Sequence, residues 1–275
     1  MKKILAFISI FFVFVLAACG ESNSGAGDNV IKVGASSTPH AQILEKAKPI
    51  LKEKGITLKI EEYTDYVLPN EDLSNGEIDA NYFQHIPYLN KQIADIGYDF
   101  THIGGIHIEP FGIYSKTIES VDEVPKGTEV LMSRSVADHG RVLSLLEKEG
   151  LIKLSEKVDK VEATTEDIVE NPKNLKFSYD YDAAFLPELY ESEENTLVAI
   201  NTNYAIGAGL NPLEDALIIE GEESPYVNVI AVKKENKDNK ALNTLVDVLH
   251  SEKIQDYIKE EFDGAVVPVK GAPSN

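Results

Sequence analysis

Val30-Ile31-Lys32-Val33-Gly34-Ala35, with the segment that follows it to Gly97, decides the fold. The six residues make a short apolar strand that ends in small side chains. Residues 40–54 then place Ile43, Leu44, Ala47, Ile50 and Leu51 at helical spacing, and Gly55 stops the helix. Residues 58–63 alternate as a second strand and 70–75 add a helical turn. Residues 77–83 make a third strand, and 87–96 a helix ended by Gly97. Strand, helix, strand, helix predicts an α/β domain on a mainly parallel sheet.

The rhythm returns further along. Residues 129–132 read as a strand, 140–149 as a helix stopped by Gly150, and 165–170 as a short helix. Residues 175–181 and 197–201 read as strands, 227–233 as another, and 240–260 as one long amphipathic helix. Two α/β lobes follow: residues 30–112 completed by 226–275, and residues 113–225 between them. The chain then crosses from lobe to lobe twice.

Ahead of the folded body, Lys2 and Lys3 precede an apolar run from Ile4 to Leu16 and then Leu16-Ala17-Ala18-Cys19. A basic tip, a short greasy segment and small residues before a cut form a secretory signal. The run falls short of the about 20 apolar residues of a membrane span. Cys19 stands where a bacterial lipobox places its acylated cysteine, so residues 1–18 are expected to be removed and Cys19 to carry lipid. Residues 19–29, polar and rich in Gly and Ser, read as a flexible tether. Cys19 is the only cysteine, which excludes an intramolecular disulfide.

The formal charge of −20, from 26 basic and 46 acidic side chains, opposes nucleic-acid backbones and anionic lipid surfaces. Gly-x-Ser-x-Gly, His-Glu-x-x-His and Gly-x-x-x-x-Gly-Lys are absent, so no enzyme class announces itself. Six histidines raise the question of a metal. His102 and His107 lie five apart in a strand-loop, His40, His85 and His139 are scattered, and none shows the close pairing of a zinc site.

Small-molecule binding fits better. Tyr82-Phe83-Gln84-His85-Ile86-Pro87-Tyr88 sets three aromatic rings and an imidazole at a strand-to-helix junction. In open α/β sheets that junction faces the ligand crevice; the same rings would serve equally well as core. Asp138-His139-Gly140-Arg141 opens a predicted helix whose free N–H groups suit a carboxylate, and Arg141 could grip one bidentately. Taken alone, Arg141 reads more readily as a surface residue.

Four stretches carry a resemblance. Asp65-Tyr66-Val67-Leu68-Pro69-Asn70, Ile78-Asp79-Ala80-Asn81-Tyr82-Phe83-Gln84-His85, residues 167–176 and Ser224-Pro225-Tyr226-Val227-Asn228 resemble the methionine-binding lipoproteins of the NlpA/MetQ family. The likeness runs from about Val30 to Pro268. It implies a two-lobe, periplasmic-binding-protein-like α/β fold with a ligand cleft between the lobes. It also implies the substrate-binding component of an ABC importer for methionine or a close relative, derivative or methionyl peptide. Such a protein is no enzyme, needs no cofactor, and works as a lipid-anchored monomer outside the cell membrane beside a permease and its ATPase. Tyr66, Phe83, His85 and Tyr88 would line the side-chain pocket, Arg141 would bind the α-carboxylate, and Asn201 and Asn228 would fix the polar end.

The chain departs from the family at Ser133-Arg134-Ser135-Val136-Ala137-Asp138, where Asp138 replaces a ligand-site asparagine, and at Phe185, where glutamine is common. Asp138 reads as a helix N-cap, as a partner for the ligand's ammonium, or as a competitor for Arg141. Two other classes remain in view: a metal-binding surface lipoprotein using His85, His107 and His139, and an interaction protein that kept the fold and lost its ligand.

Overall fold

The computed structural model describes residues 29–221 and 224–270; the signal segment, Cys19 and the tether lie outside these. The first lobe opens with β1 (Val30–Ser36), α1 (Gln42–Glu53), β2 (Thr57–Tyr63), α2 (Leu68–Asn75), β3 (Ala80–Tyr82), α3 (Ile86–Ile96) and β4 (Phe100–Ile108). Ile43, Leu44, Ala47 and Leu51 of α1 are buried against Ile31, Val33 and Ala35 of β1. Each large apolar side chain so covered contributes about 1.5–3 kcal/mol. Gly76 and Gly97 end α2 and α3 in the left-handed region, at φ 79° and 85°, where a Cβ would be strained.

The chain then runs through β5 (Gly112–Tyr114), β6 (Glu129–Ser133), α4 (Val136–Lys148), β7 (Lys153–Leu154), β8 (Ile168–Glu170), β9 (Lys176–Tyr181) and α5 (Leu186–Ser192). It continues through β10 (Thr196–Ile200), α6 (Thr202–Gly207), α7 (Pro212–Asp215) and β11 (Ile218–Ile219). It closes with β12 (Val227–Lys233), α8 (Lys240–Leu249), α9 (Glu252–Phe262) and β13 (Val267–Pro268). Strand order is β13-β4-β12-β3-β1-β2 in one sheet and β11-β5-β10-β6-β9 in the other, with β7 and β8 as a separate pair. Passage from the first sheet to the second runs through Glu109–Phe111, and the return lies between β11 and β12. Each sheet has its own core, the second built on Val130, Met132, Leu143, Leu146 and Leu197.

The sheets are mixed rather than mainly parallel. β1 pairs in parallel with β2 and β3, but β12 runs antiparallel to both β3 and β4. In the second sheet β6 is parallel to β9 and β10, while β5 is antiparallel to β10 and β11. The expectation fails because β5 and β12, which enter each sheet from the other one, come in from the crevice side and so run against the strands whose carboxyl ends open onto it. His102 and His107 both lie within β4, not in a strand-loop.

The short helix expected over residues 165–170 is a single 3-10 turn, Thr165–Asp167, and the second half is β8. Asp167 Oδ2 accepts from the Thr164 N–H and hydroxyl, which closes the N-terminal end of that turn. The helix expected over 240–260 is two helices. Ser251 is extended, its Oγ donates to Val248 O, and Gln255 Nε2 donates to Leu249 O, so the last carbonyls of α8 are capped by side chains. Among the described residues no helix is long and apolar enough to cross a membrane.

Candidate functional site

Tyr66, Phe83, His85, Tyr88, Asp138, Arg141, Asn201 and Asn228 all line one cavity of about 30 Å³ between the lobes. Their placement follows from topology. Tyr66 lies in the turn after β2, Phe83 and His85 just past β3, Asp138 and Arg141 in the opening turns of α4 after β6, and Asn201 just past β10. These are carboxyl ends of parallel strands, where an α/β sheet opens its crevice. Asn228 arrives on β12 and makes an isolated antiparallel bridge with His85.

One end of the cavity is aromatic. Tyr66, Phe83 and Tyr88 meet pairwise with ring centroids 5.9–6.2 Å apart. Both hydroxyls are turned to protein partners: Tyr66 donates to Asn203 Oδ1 at 2.6 Å and Tyr88 to the Tyr66 carbonyl at 2.8 Å. Beneath the rings, Asn70, Asn81 and Gln84 form a fully buried amide triangle with bonds of 2.8–3.1 Å, which holds the β3–α3 junction.

The other end is charged. Arg141 donates through Nε to Glu220 at 2.9 Å and through Nη2 to Glu220 and to the Glu109 carbonyl, the last at 2.6 Å. Its guanidinium lies 4.4 Å from the Tyr226 ring centroid and 5.1 Å from that of Phe111. Of its five N–H groups, the two on Nη1 have no protein acceptor among the described residues.

Asp138 is 3 % exposed. His85 Nε2 donates to its Oδ1 at 3.1 Å and Asn201 Nδ2 to its Oδ2 at 3.3 Å. Burial alone would raise its carboxyl; the His85 hydrogen bond, with Arg141 and Asn201, outweighs burial and holds it below the usual carboxylate range. It is not an N-cap: α4 begins two residues earlier, behind Ser135, so Asp138 sits inside the first turn. Nor does it compete for Arg141, whose partners are Glu220 and the Glu109 carbonyl. With Asn201 Nδ2 committed to a carboxylate, Asn201 Oδ1 is the acceptor left over, and it is buried with no partner among the described residues.

Two carboxylates were not singled out from the sequence. Glu109 begins the passage between the sheets, and its Oε1 accepts from His107 Nε2 at 2.8 Å and faces His40 Nε2 at 3.1 Å. Burial works against its ionised form, but the His107 hydrogen bond and the Arg141 charge, with His40 Nε2 turned toward it, hold the carboxyl low. Burial pushes His40 down to about 4, against the opposing pull of Glu109. Glu220 faces Arg141 from 79 positions away, a separation at which periodicity carries no information. The available signal for Glu109 was an acid at the end of an apolar strand, ahead of Pro110.

His85, His107 and His139 do not converge. His85 serves Asp138, and His139 Nε2 donates to the Ser133 carbonyl at 2.9 Å. Among the described residues the side chains near enough to share a metal are His40, His107 and Glu109, and they already satisfy one another as a hydrogen-bonded brace. Phe185 stands outside the cavity, 57 % exposed on the wall of an outer groove of about 440 Å³. Ser133–Ala137 line the same groove.

Hydrogen bonds join the lobes across the cavity: Tyr66 to Asn203, Tyr204 to the Thr64 carbonyl at 3.0 Å, and His85 to Asp138. Two α/β lobes joined by two crossings and closed on a cavity with one aromatic and one charged end define the periplasmic-binding-protein class. Within that class the chain belongs to the NlpA lipoprotein family, whose pattern it matches over residues 31–270. It is 47 % identical over 277 aligned residues to the methionine-binding lipoprotein MetQ of Bacillus subtilis, covering 98 % of this chain and 99 % of that one. Two solved structures with this fold illustrate the likeness. One is a pheromone cOB1 precursor/lipoprotein of the YaeC family from Enterococcus faecalis, at 50 % identity and TM-score 0.85, covering 87 % of this chain and 100 % of that one. The other is a nutrient-binding protein from Burkholderia cenocepacia bound to methionine, at 37 % identity and TM-score 0.82 with the same coverage.

Proposed function

We propose that this chain is the substrate-binding component of an ABC importer, capturing methionine or a closely related amino acid and presenting it to a permease and its ATPase. The observation that carries this reading is the two-ended cavity: an aromatic pocket beside a buried constellation that has, among the described residues, one free guanidinium nitrogen and one unpartnered amide oxygen. An α-carboxylate on Arg141 Nη1 is a charge-assisted contact. An α-ammonium between Asp138 and Asn201 Oδ1 meets a negative charge and an open acceptor. Asn228 gives Oδ1 to His40, which leaves its Nδ2 for the cargo.

The thioether would lie among Tyr66, Phe83 and Tyr88, where sulfur–ring contact adds about 0.3–1.5 kcal/mol to the apolar burial. Contacts from both lobes favour the closed state, and closure is what a permease can recognise. Acylation at Cys19 would keep the protein, acting as a monomer and not as an enzyme, on the outer face of the cell membrane. Residues 30–112 with 226–275 would be one lobe and 113–225 the other.

Calorimetric titration of the detergent-purified full chain, stripped of bound cargo, tests this. Methionine should bind, and Arg141→Ala should weaken it at least about 30-fold, the loss of one or two hydrogen bonds to a charged group. No heat with either methionine enantiomer or with a panel of amino acids and methionyl peptides would refute the reading.

A further inference from the structure

The cavity carries more negative charge than a zwitterion can answer. Glu109, Asp138 and Glu220 are carboxylates in or against it; Arg141 pairs directly with Glu220 alone, meets Glu109 through its backbone carbonyl, and reaches the Glu109 and Asp138 carboxylates only through its charge. The three histidines nearby do not make up the difference, because their hydrogen bonds fix them as neutral. Tyr88 N–H donates to His85 Nδ1 at 3.1 Å, so that nitrogen has no proton, and the single proton sits on Nε2 toward Asp138. His40 Nε2 faces two acceptors, Glu109 Oε1 and Asn228 Oδ1, each at 3.1 Å, and so holds its proton there, while burial keeps the ring neutral. His107 Nε2 donates to Glu109, and its Nδ1 takes the proton of the Tyr82 hydroxyl, which has no other acceptor among the described residues. Three carboxylates therefore stand near one guanidinium, Asp138 and Glu109 buried with it and Glu220 partly exposed. A cargo with one ammonium and one carboxylate adds nothing to that balance.

The place for a further positive charge is the aromatic end. Tyr66, Phe83 and Tyr88 surround it with both hydroxyls engaged elsewhere, so what remains for the cargo is ring surface. A cation within about 6 Å of such rings is attracted by their quadrupoles, and a bulky, weakly hydrated onium ion loses least on leaving water. Asp138 is close enough for its charge to act there: after burial, it is among the groups that push the Tyr66 and Tyr88 phenols up.

Resting on the importer reading above, we propose that the cargo is a methionine-type amino acid whose side chain is itself cationic, a sulfonium such as S-methylmethionine, with that charge set among Tyr66, Phe83 and Tyr88 and balanced by Asp138. The carboxylate and α-ammonium keep the positions already assigned to them.

The test is calorimetry of the detergent-purified full chain at pH 7.5 with L-methionine and S-methyl-L-methionine, in two buffers of different ionisation heat. The sulfonium is expected to bind at least about tenfold more tightly than the thioether, within the range for a desolvated cation on aromatic faces. Asp138→Asn should cut that ratio at least about tenfold by lowering sulfonium affinity, and Phe83→Leu should cut it as well by removing a ring. Methionine bound as tightly as the sulfonium overturns the proposal, as does a ratio unchanged in Asp138→Asn. Methionine binding with uptake of one proton also overturns it, because a proton and not the cargo then answers the excess charge. Methionine bound alone sinks this proposal and leaves the importer reading standing; silence with both sinks the two together.

Discussion

Gly140→Ala sets helix propensity directly against packing, and the structure says which wins. Gly140 lies in the second turn of α4, between Asp138 and Arg141. A Cβ there would fall 2.2 Å from the Lys160 carbonyl oxygen and 2.5 Å from that of Val161. Both belong to the backbone of a short turn, Lys160–Glu162, whose N-cap Asp159 takes the Val161 N–H at 3.0 Å. A flexible side chain could swing away; these carbonyls cannot, so α4 and the turn must part by about 1 Å to reach ordinary contact.

Overpacking of this kind costs about 1–3 kcal/mol, and rigid backbone puts it at the upper end. Alanine returns about 1 kcal/mol as the better helix former. The net loss is about 2 kcal/mol, which lowers Tm by about 4–8 °C in a chain of this size. The same displacement stretches the 3.1 Å bond from His85 to Asp138, so cargo affinity should fall about tenfold. Circular dichroism melting is the assay, since the chain has no tryptophan to report by fluorescence. A variant as stable as the parent, or more so, would show that the turn yields and that α4 is not held by it.

Acid should destabilise the cargo-free protein in two ranges. The folded-state shifts of His40, Asp138 and Glu109 are all downward, so in each case the unfolded chain binds the proton more readily. Stability from His40 is complete above pH 6.5 and declines toward about pH 4, by about 3 kcal/mol; the two carboxylates add their loss as pH falls further. Denaturant melts of the parent and His40→Gln from pH 7.5 to 4 should show a flatter profile in the variant, and parallel profiles would refute the assignment. Asn70→Ala leaves buried donors on Asn81 and Gln84 short of an acceptor and should cost about 2–3 kcal/mol in denaturant unfolding; a loss under about 0.5 kcal/mol would mean the triangle re-forms without it. Tyr66→Phe removes the interlobe bond to Asn203, so small-angle scattering of the cargo-free protein should report a larger radius of gyration; an unchanged radius would place closure in other contacts.

Much of the local structure was legible because it depends on neighbours. The α1 stripe of Ile43, Leu44, Ala47 and Leu51, the Gly97 stop and the strand at Val30–Ser36 each follow from side chains within a turn or two of one another. The eight candidate site residues also meet around one cavity: seven sit just past a strand or at a helix opening, and Asn228, marked by the resemblance alone, comes in on β12.

Charge and direction were decided elsewhere. Asp138 looked like a helix cap from its neighbours, yet its role is set by His85, 53 positions before it, and Asn201, 63 after it. The antiparallel insertion of β12 between β3 and β4 brings Asn228 to His85 and His40, and no periodicity within either segment encodes that pairing. Sequence alone determined which segments fold and which surfaces they bury, since apolar spacing acts over a few residues. Tertiary structure alone decided which carboxylates stand near Arg141, because a buried charge is governed by what stands within a few ångströms of it, however far away along the chain.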